Sequence, residues 1–204
     1  VEIYDPSQDR WERGVDLLMP HDYPGGVLAG EWIYVLGGHH PDATKAGPKT
    51  DPGFDFCERF NLRSCRWEEL PPLPTPRFAL SAVEVNGHIW TMGGVAFTPI
   101  GFNNFDLIEA YDPNTNQWQH LDLRLPWTAA GQSNCVISEH LITLGGYSGE
   151  GIHARAALCH INNEVGWQRL PDMPAPRAAA GLAVLEQKLY VIGGWADDGR
   201  TPMN

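Results

Sequence analysis

Eight histidines, four cysteines and 25 acidic residues give this 204-residue sequence the raw material for metal, nucleophilic or acid–base chemistry. Their spacing supports none of these. His39-His40 followed by Asp42 brings metal-ligand types close together, but no second spaced ligand set accompanies it, as a zinc site would require. Neighbouring acids such as Glu68-Glu69 point to opposite faces of a strand, and a loop pair such as Asp197-Asp198 reads as solvated charge. Cys57, Cys65, Cys135 and Cys159 contain no Cys-x-x-Cys pair and are too scattered for a disulfide framework, so they read as reduced strand residues. The phosphate-binding glycine loop, the dinucleotide glycine fingerprint and the Gly-x-Ser-x-Gly elbow are all missing; Gly146-Tyr147-Ser148-Gly149 reads as a loop. The expectation is a chain with no catalytic residue, no cofactor and no metal.

Binding chemistry is better represented. Arg77 and Arg177 each follow a proline-rich run, and a planar guanidinium there can make paired bonds to a partner carboxylate or bond neighbouring loop carbonyls. His39, Phe97, Phe102, Tyr147 and Trp195 lie in long irregular segments, where rings are favoured contact types. These seven are the candidate partner-binding residues. The formal charge of −11 and pI near 5 argue against a general attraction to nucleic acid or an anionic membrane, and no apolar run reaches membrane-helix length. A soluble, cytoplasmic protein is the expectation.

The elements that position these residues come from a repeat. Glycine pairs recur at Gly37-Gly38, Gly93-Gly94, Gly145-Gly146 and Gly193-Gly194, and Trp11, Trp67, Trp118 and Trp167 keep a similar period of roughly fifty residues. Seven residues before each Trp stand Tyr4, Phe60, Tyr111 and, as a departure, His160; two residues earlier lie Glu2, Glu58, Glu109 and Leu158. Ahead of each glycine pair, short apolar runs such as SAVEV and HIWTM flank a tight turn, clearest at Asn86-Gly87, where both residues tolerate positive φ. After a variable loop come a third strand, an Asp-Pro turn at Asp5-Pro6 and Asp112-Pro113, and the Trp strand. Four antiparallel strands per repeat cannot cover both faces of their own sheet, so consecutive sheets must stack, with the rings and glycines as packing residues.

Lys188-Leu189-Tyr190-Val191-Ile192-Gly193-Gly194 and Glu109-Ala110-Tyr111-Asp112-Pro113-Asn114-Thr115-Asn116-Gln117-Trp118 resemble pieces of the repeat of the kelch β-propeller family, in register over essentially the whole chain. The resemblance also covers the Pro/Arg passages ending at Arg77 and Arg177, whose arginine is replaced by His21 and Ala129 in the other repeats. It implies an all-β propeller: a half-blade over 1–16, complete blades over 17–69, 70–120 and 121–170, and a half-blade over 171–204, within a ring of about six blades. A closed four-blade ring made by pairing the two ends, or an assembly of partial rings, is the other possibility. Tight turns gather at one end of such blades and long loops at the other, which makes the long-loop end the expected interaction face.

The function implied is a noncatalytic protein-interaction module. Similarity to the family suggests a substrate receptor in a ubiquitin ligase, reaching a cullin-type assembly through a BTB domain outside this chain, or a cytoskeletal scaffold. The alternative is a carbohydrate-directed enzyme, since some kelch-like propellers are mutarotases or oxidases. An oxidase would need copper ligands and a ring-modifying cysteine that these residues do not supply.

Overall fold

A computed structural model describes residues 1–40, 53–98, 101–162 and 166–195. Every regular element among them is a strand. In chain order these are β1 (Glu2–Asp5), β2 (Arg10–Arg13), β3 (Gly25–Ala29), β4 (Trp32–Leu36), β5 (Cys57–Asn61), β6 (Arg66–Leu70), β7 (Ser81–Val85), β8 (His88–Met92), β9 (Val95–Thr98) and β10 (Gly101–Asn104). They continue with β11 (Ile108–Asp112), β12 (Gln117–His120), β13 (Ala130–Ile137), β14 (His140–Ser148), β15 (Gly151–Ile152), β16 (Ala156–His160), β17 (Trp167–Leu170), β18 (Gly181–Leu185) and β19 (Lys188–Ile192). Since no described residue is helical, no helix is long and apolar enough to cross a membrane.

Three antiparallel sheets follow the order β3-β4-β5-β6, β7-β8-β11-β12 and β13-β14-β16-β17, the last with β15 added alongside β14. The hairpins β1-β2 and β18-β19 form two further, separate sheets that do not pair with each other. Local chemistry accounts for the turns. Asn86 and Gly87 take φ values of 50° and 82°, and Glu186 and Gln187 take 49° and 60°, the positive pair that a two-residue hairpin needs. Asp5 and Asp112 accept backbone N–H bonds from Ser7 and Asn114, each 2.8 Å, and Asn61 does the same for Ser64.

Apolar side chains fill the spaces between sheets. One cluster joins Tyr34, Leu36, Cys57 and Leu70 of one sheet to Leu80, Ile89 and Tyr111 of the next; another joins Val83, Met92 and Ile108 to Leu125 and Leu141. The tryptophans tie each outer strand back to the preceding connection: Trp67, Trp118 and Trp167 donate their indole N–H to the carbonyls of Val15, Pro71 and Arg124. Glycines take the seams because a Cβ on Gly37 would lie 2.7 Å from the Arg77 carbonyl oxygen.

Three readings are corrected by the register. In the third complete sheet the cross-strand partner of Trp167 is Cys159, where Phe60 and Tyr111 face Trp67 and Trp118, so Cys159 and not His160 holds the ring position. By the same pairing Ala157, not Leu158, holds the position of Glu109, because Ala157 faces Thr143 as Glu109 faces Thr91. Counting back from tryptophan assumed one turn length, and this turn is a residue longer. Cys65 lies in a turn with φ 53°, not in a strand.

All four thiols are free. Burial pushes the Cys57 thiol up to about 12 and the Cys135 thiol up to about 11. A thiol reagent at neutral pH is therefore expected to label exposed Cys65 first and to reach Cys57 only on unfolding; mass mapping of early label on Cys57 would contradict this.

Candidate functional site

The first strands of successive sheets, β3, β7, β13 and β18, stand side by side around a channel of about 330 Å³. Each enters through a residue in the left-handed conformation: Tyr23 at φ 53°, Ala79 at 50°, Gly131 at 60° and Ala179 at 53°. Those four residues are linked in series. Ala79 N–H donates to the Tyr23 carbonyl at 2.8 Å, Gly131 to Ala79 at 2.8 Å and Ala179 to Gly131 at 2.7 Å. This backbone belt fixes the spacing of the inner strands and hence the width of the channel mouth.

The residue after each glycine pair pairs with the chain entering its own sheet: His39 with Asp22, Val95 with Phe78, Tyr147 with Ala130 and Trp195 with Ala178. His39, Tyr147 and Trp195, chosen from the sequence as loop aromatics, therefore occupy one repeated position at the long-loop end. Phe97 and Phe102 face each other across the β9-β10 hairpin, an ordered ribbon where an irregular loop was expected; their ring centroids are 5.1 Å apart. Val95, Phe97 and Phe102 supply the bulky residues that let this ribbon form.

These rings meet. Phe78 packs on Phe97 at 5.0 Å and on His39 at 4.8 Å, His39 lies 6.1 Å from Tyr23, and Tyr23 stands edge-on to Trp195 at 6.4 Å. Phe97 and Tyr147 pack on the buried cluster of Phe78, Val95 and Ala130. Phe102 is 65% exposed, Tyr23 49% and Trp195 37%. Burial raises the Tyr147 hydroxyl pKa. Tyr23 was missed in the sequence; its signal was its place two residues after His21, matching Ala79 two after Arg77.

Other candidates lie elsewhere. His39 is only 2% exposed, so its ring supports the cluster from beneath and does not offer itself to a partner; its Nε2 is 3.7 Å from Asp22. Asp42 and the Asp197-Asp198 pair lie outside the described residues. Arg77 is fully buried, which corrects its assignment as a partner contact. Its guanidinium donates to the Gly93 carbonyl at 2.8 Å, the Thr75 carbonyl at 2.9 Å, Thr91 Oγ1 at 3.0 Å and the Glu109 carboxylate. A buried cation survives only when so fully bonded, and that consumes the groups a partner would use. Arg177, half-buried, donates to the Gly193 carbonyl at 2.8 Å. Glu68 pairs with Arg59 at 3.0 Å.

A hydroxyl–imidazole contact, Ser148 Oγ to His153 Nε2 at 3.0 Å, closes the β14-β15 turn, and burial holds the His153 pKa below its ordinary value. Ser148 Oγ also accepts the Glu150 N–H at 3.2 Å. Both bonds serve the turn.

A family model described as "Kelch motif" matches residues 76–121. Among curated proteins, Kelch-like protein terF of Aspergillus terreus is 28% identical over 86% of this chain and 39% of its own length. Beta-scruin of Limulus polyphemus is 26% identical over 94% of this chain and 21% of its own length, and Kelch-like protein 36 of Mus musculus is 28% identical over 90% and 29%. The chain thus spans between about a fifth and two fifths of these relatives. The solved structure of YjhT matches at a TM-score of 0.72 and 16% identity, covering 91% of this chain and 61% of that one, a likeness of fold.

Proposed function

We propose, from the premise that this chain is a member of the kelch-repeat family built as β-propeller blades, that it is a noncatalytic protein-interaction module. Its partner is held at the aromatic mouth of the channel. The observation that carries this reading is the convergence of rings from separate blades on one end, with Tyr23, Phe102 and Trp195 left partly open to solvent above a packed layer of Phe78, Phe97 and His39. Partly exposed aromatics on a rigid support offer a large contact area at little ordering cost.

A substrate-receptor role in a BTB-kelch ubiquitin ligase, joined to a cullin-type assembly through a domain outside this chain, is the setting we favour, in line with the Kelch-like relatives. The partner is a protein or peptide. Affinity capture with the wild-type protein, a Phe102→Ala/Trp195→Ala variant and a control changed at the tight-turn end, Asn86→Ala/Asn162→Ala, tests the mouth. The ring variant is expected to lose captured partner by about tenfold or more, with the control unchanged. Equal capture by all three would remove the mouth from the interaction. Arg77→Ala is no test of binding, since it unsettles a buried ion pair.

A further inference from the structure

The first glycine of every pair presents a carbonyl that needs a donor, and the blades supply three kinds of donor. His21 Nδ1 meets the Gly37 carbonyl at 2.6 Å, Arg77 the Gly93 carbonyl at 2.8 Å and Arg177 the Gly193 carbonyl at 2.8 Å. In the third complete blade it is the Trp127 indole, 3.2 Å from the Gly145 carbonyl. The first two donors also bind a buried acid: His21 Nε2 lies 3.0 Å from Glu58, and Arg77 pairs with Glu109. The third blade has lost both members at once. Ala129 stands at the arginine position, since its carbonyl accepts the Gly94 N–H as the Arg77 carbonyl accepts that of Gly38, and Ala157 stands at the acid position.

The Trp127 indole takes over the bond to the glycine carbonyl but supplies no charge in place of the pair. A cavity of about 250 Å³ lies beside it, lined by Pro126, Trp127, Trp167, Ala156, Ala157, Arg155 and Arg169. Of the three groups that hold the Glu109 carboxylate, Arg77, Thr75 and His120, the last has a basic counterpart beside this cavity. Arg169 faces Ala157 across the strand pair as His120 faces Glu109, where His120 Nδ1 lies 3.2 Å from that carboxylate. Thr143, facing Ala157 from the other side, is fully buried and its hydroxyl has no hydrogen-bond partner among the described residues; the matching Thr91 hydroxyl receives Arg77 and donates to the Glu109 backbone carbonyl, so Thr143 marks the loss of the arginine. Among the described residues Arg155 and Arg169 hold exposed pairs, with Glu150 at 2.9 Å and Asp172 at 3.0 Å, which an incoming anion can displace at small cost.

We propose that this cavity is a binding pocket for a carboxylate carried on a short apolar stem, which takes the place of the acid this blade lacks: the stem lies between the two indoles and the carboxylate reaches Arg169. The proposal is independent of the channel mouth. Either an acidic side chain of a bound peptide or a free small carboxylic acid carries that chemistry.

Titration calorimetry with amide-capped N-acetylglutamate, its glutamine counterpart and propionate tests it. Capped glutamate is expected to bind saturably, with the glutamine compound weaker by about tenfold or more. Propionate matching capped glutamate identifies a free acid, and preference for capped glutamate identifies a peptide side chain. Ala157→Leu, which fills part of the cavity, and Arg169→Gln, an exposed change that leaves packing intact, are each expected to abolish the difference, while Phe102→Ala/Trp195→Ala leaves it unchanged. Equal binding of glutamate and glutamine, no heat with either, or wild-type binding by Arg169→Gln would overturn the assignment.

Discussion

Glu109→Ala is expected to lower unfolding stability by about 3–5 kcal/mol, seen as a lower urea midpoint at unchanged slope. The carboxylate is fully buried and accepts from Arg77, from the Thr75 hydroxyl at 2.7 Å and from His120 at 3.2 Å. Removing it strands a guanidinium with 0% exposure. Burial already lowers the Arg77 pKa, with Glu109 opposing that shift, so loss of the acid removes the group that keeps the cation tolerable. The third complete blade shows that the pair can be dispensed with when both members go: Ala129 and Ala157 leave no buried charge behind. Arg77→Met/Glu109→Leu should therefore recover most of the loss. His120→Ala, at a side chain 62% exposed, should cost under about 1 kcal/mol. A single Glu109→Ala effect below about 1 kcal/mol would mean that the pair does not hold the blade.

The second large effect lies at a seam. Gly145→Ala is expected to cost about 3 kcal/mol or more, because the added Cβ collides with the Arg177 carbonyl oxygen of the next sheet while φ sits at +64°. That same carbonyl accepts the Gly146 N–H at 3.0 Å, so the sheets cannot separate to make room without losing the bond that joins them. Two glycines calibrate the result. Gly87→Ala meets nothing within 4 Å but keeps φ +82°, and should cost roughly 1 kcal/mol from backbone strain alone; Gly149→Ala has open space and no positive φ and should be near neutral. Equal costs at Gly145 and Gly87 in thermal or urea unfolding would show that seam contact contributes nothing.

Both experiments act on features whose visibility in the sequence differs. The glycine pairs and the Trp period were plain as spaced residue types, because local strand and turn chemistry repeats with the chain. Asn86-Gly87 and Asp112-Pro113 turned where their φ preferences and side-chain oxygens required. The acid before the first three rings is visible in the sequence, yet the counterion of Glu109 is not: Glu109 and Arg77 are 32 residues apart and meet only when the chain entering a blade folds across it.

The aromatic site divides the same way. His39, Tyr147 and Trp195 could be named from loops after the glycine pairs, but their common structural position, and the split between buried His39 and open Phe102, depend on how the sheets stack. Tyr23 joined them only through the inner belt of hydrogen bonds. In the third blade a single extra turn residue moved Cys159 and Ala157 into positions that counting had given to His160 and Leu158. Sequence by itself determined the repeat, the strand and turn chemistry and the end that carries long loops, since these follow from preferences within a few residues. Tertiary structure alone decided which side chains are satisfied, which stay open and where a cavity is left, because those depend on cross-strand register and on contacts between blades that no local preference encodes.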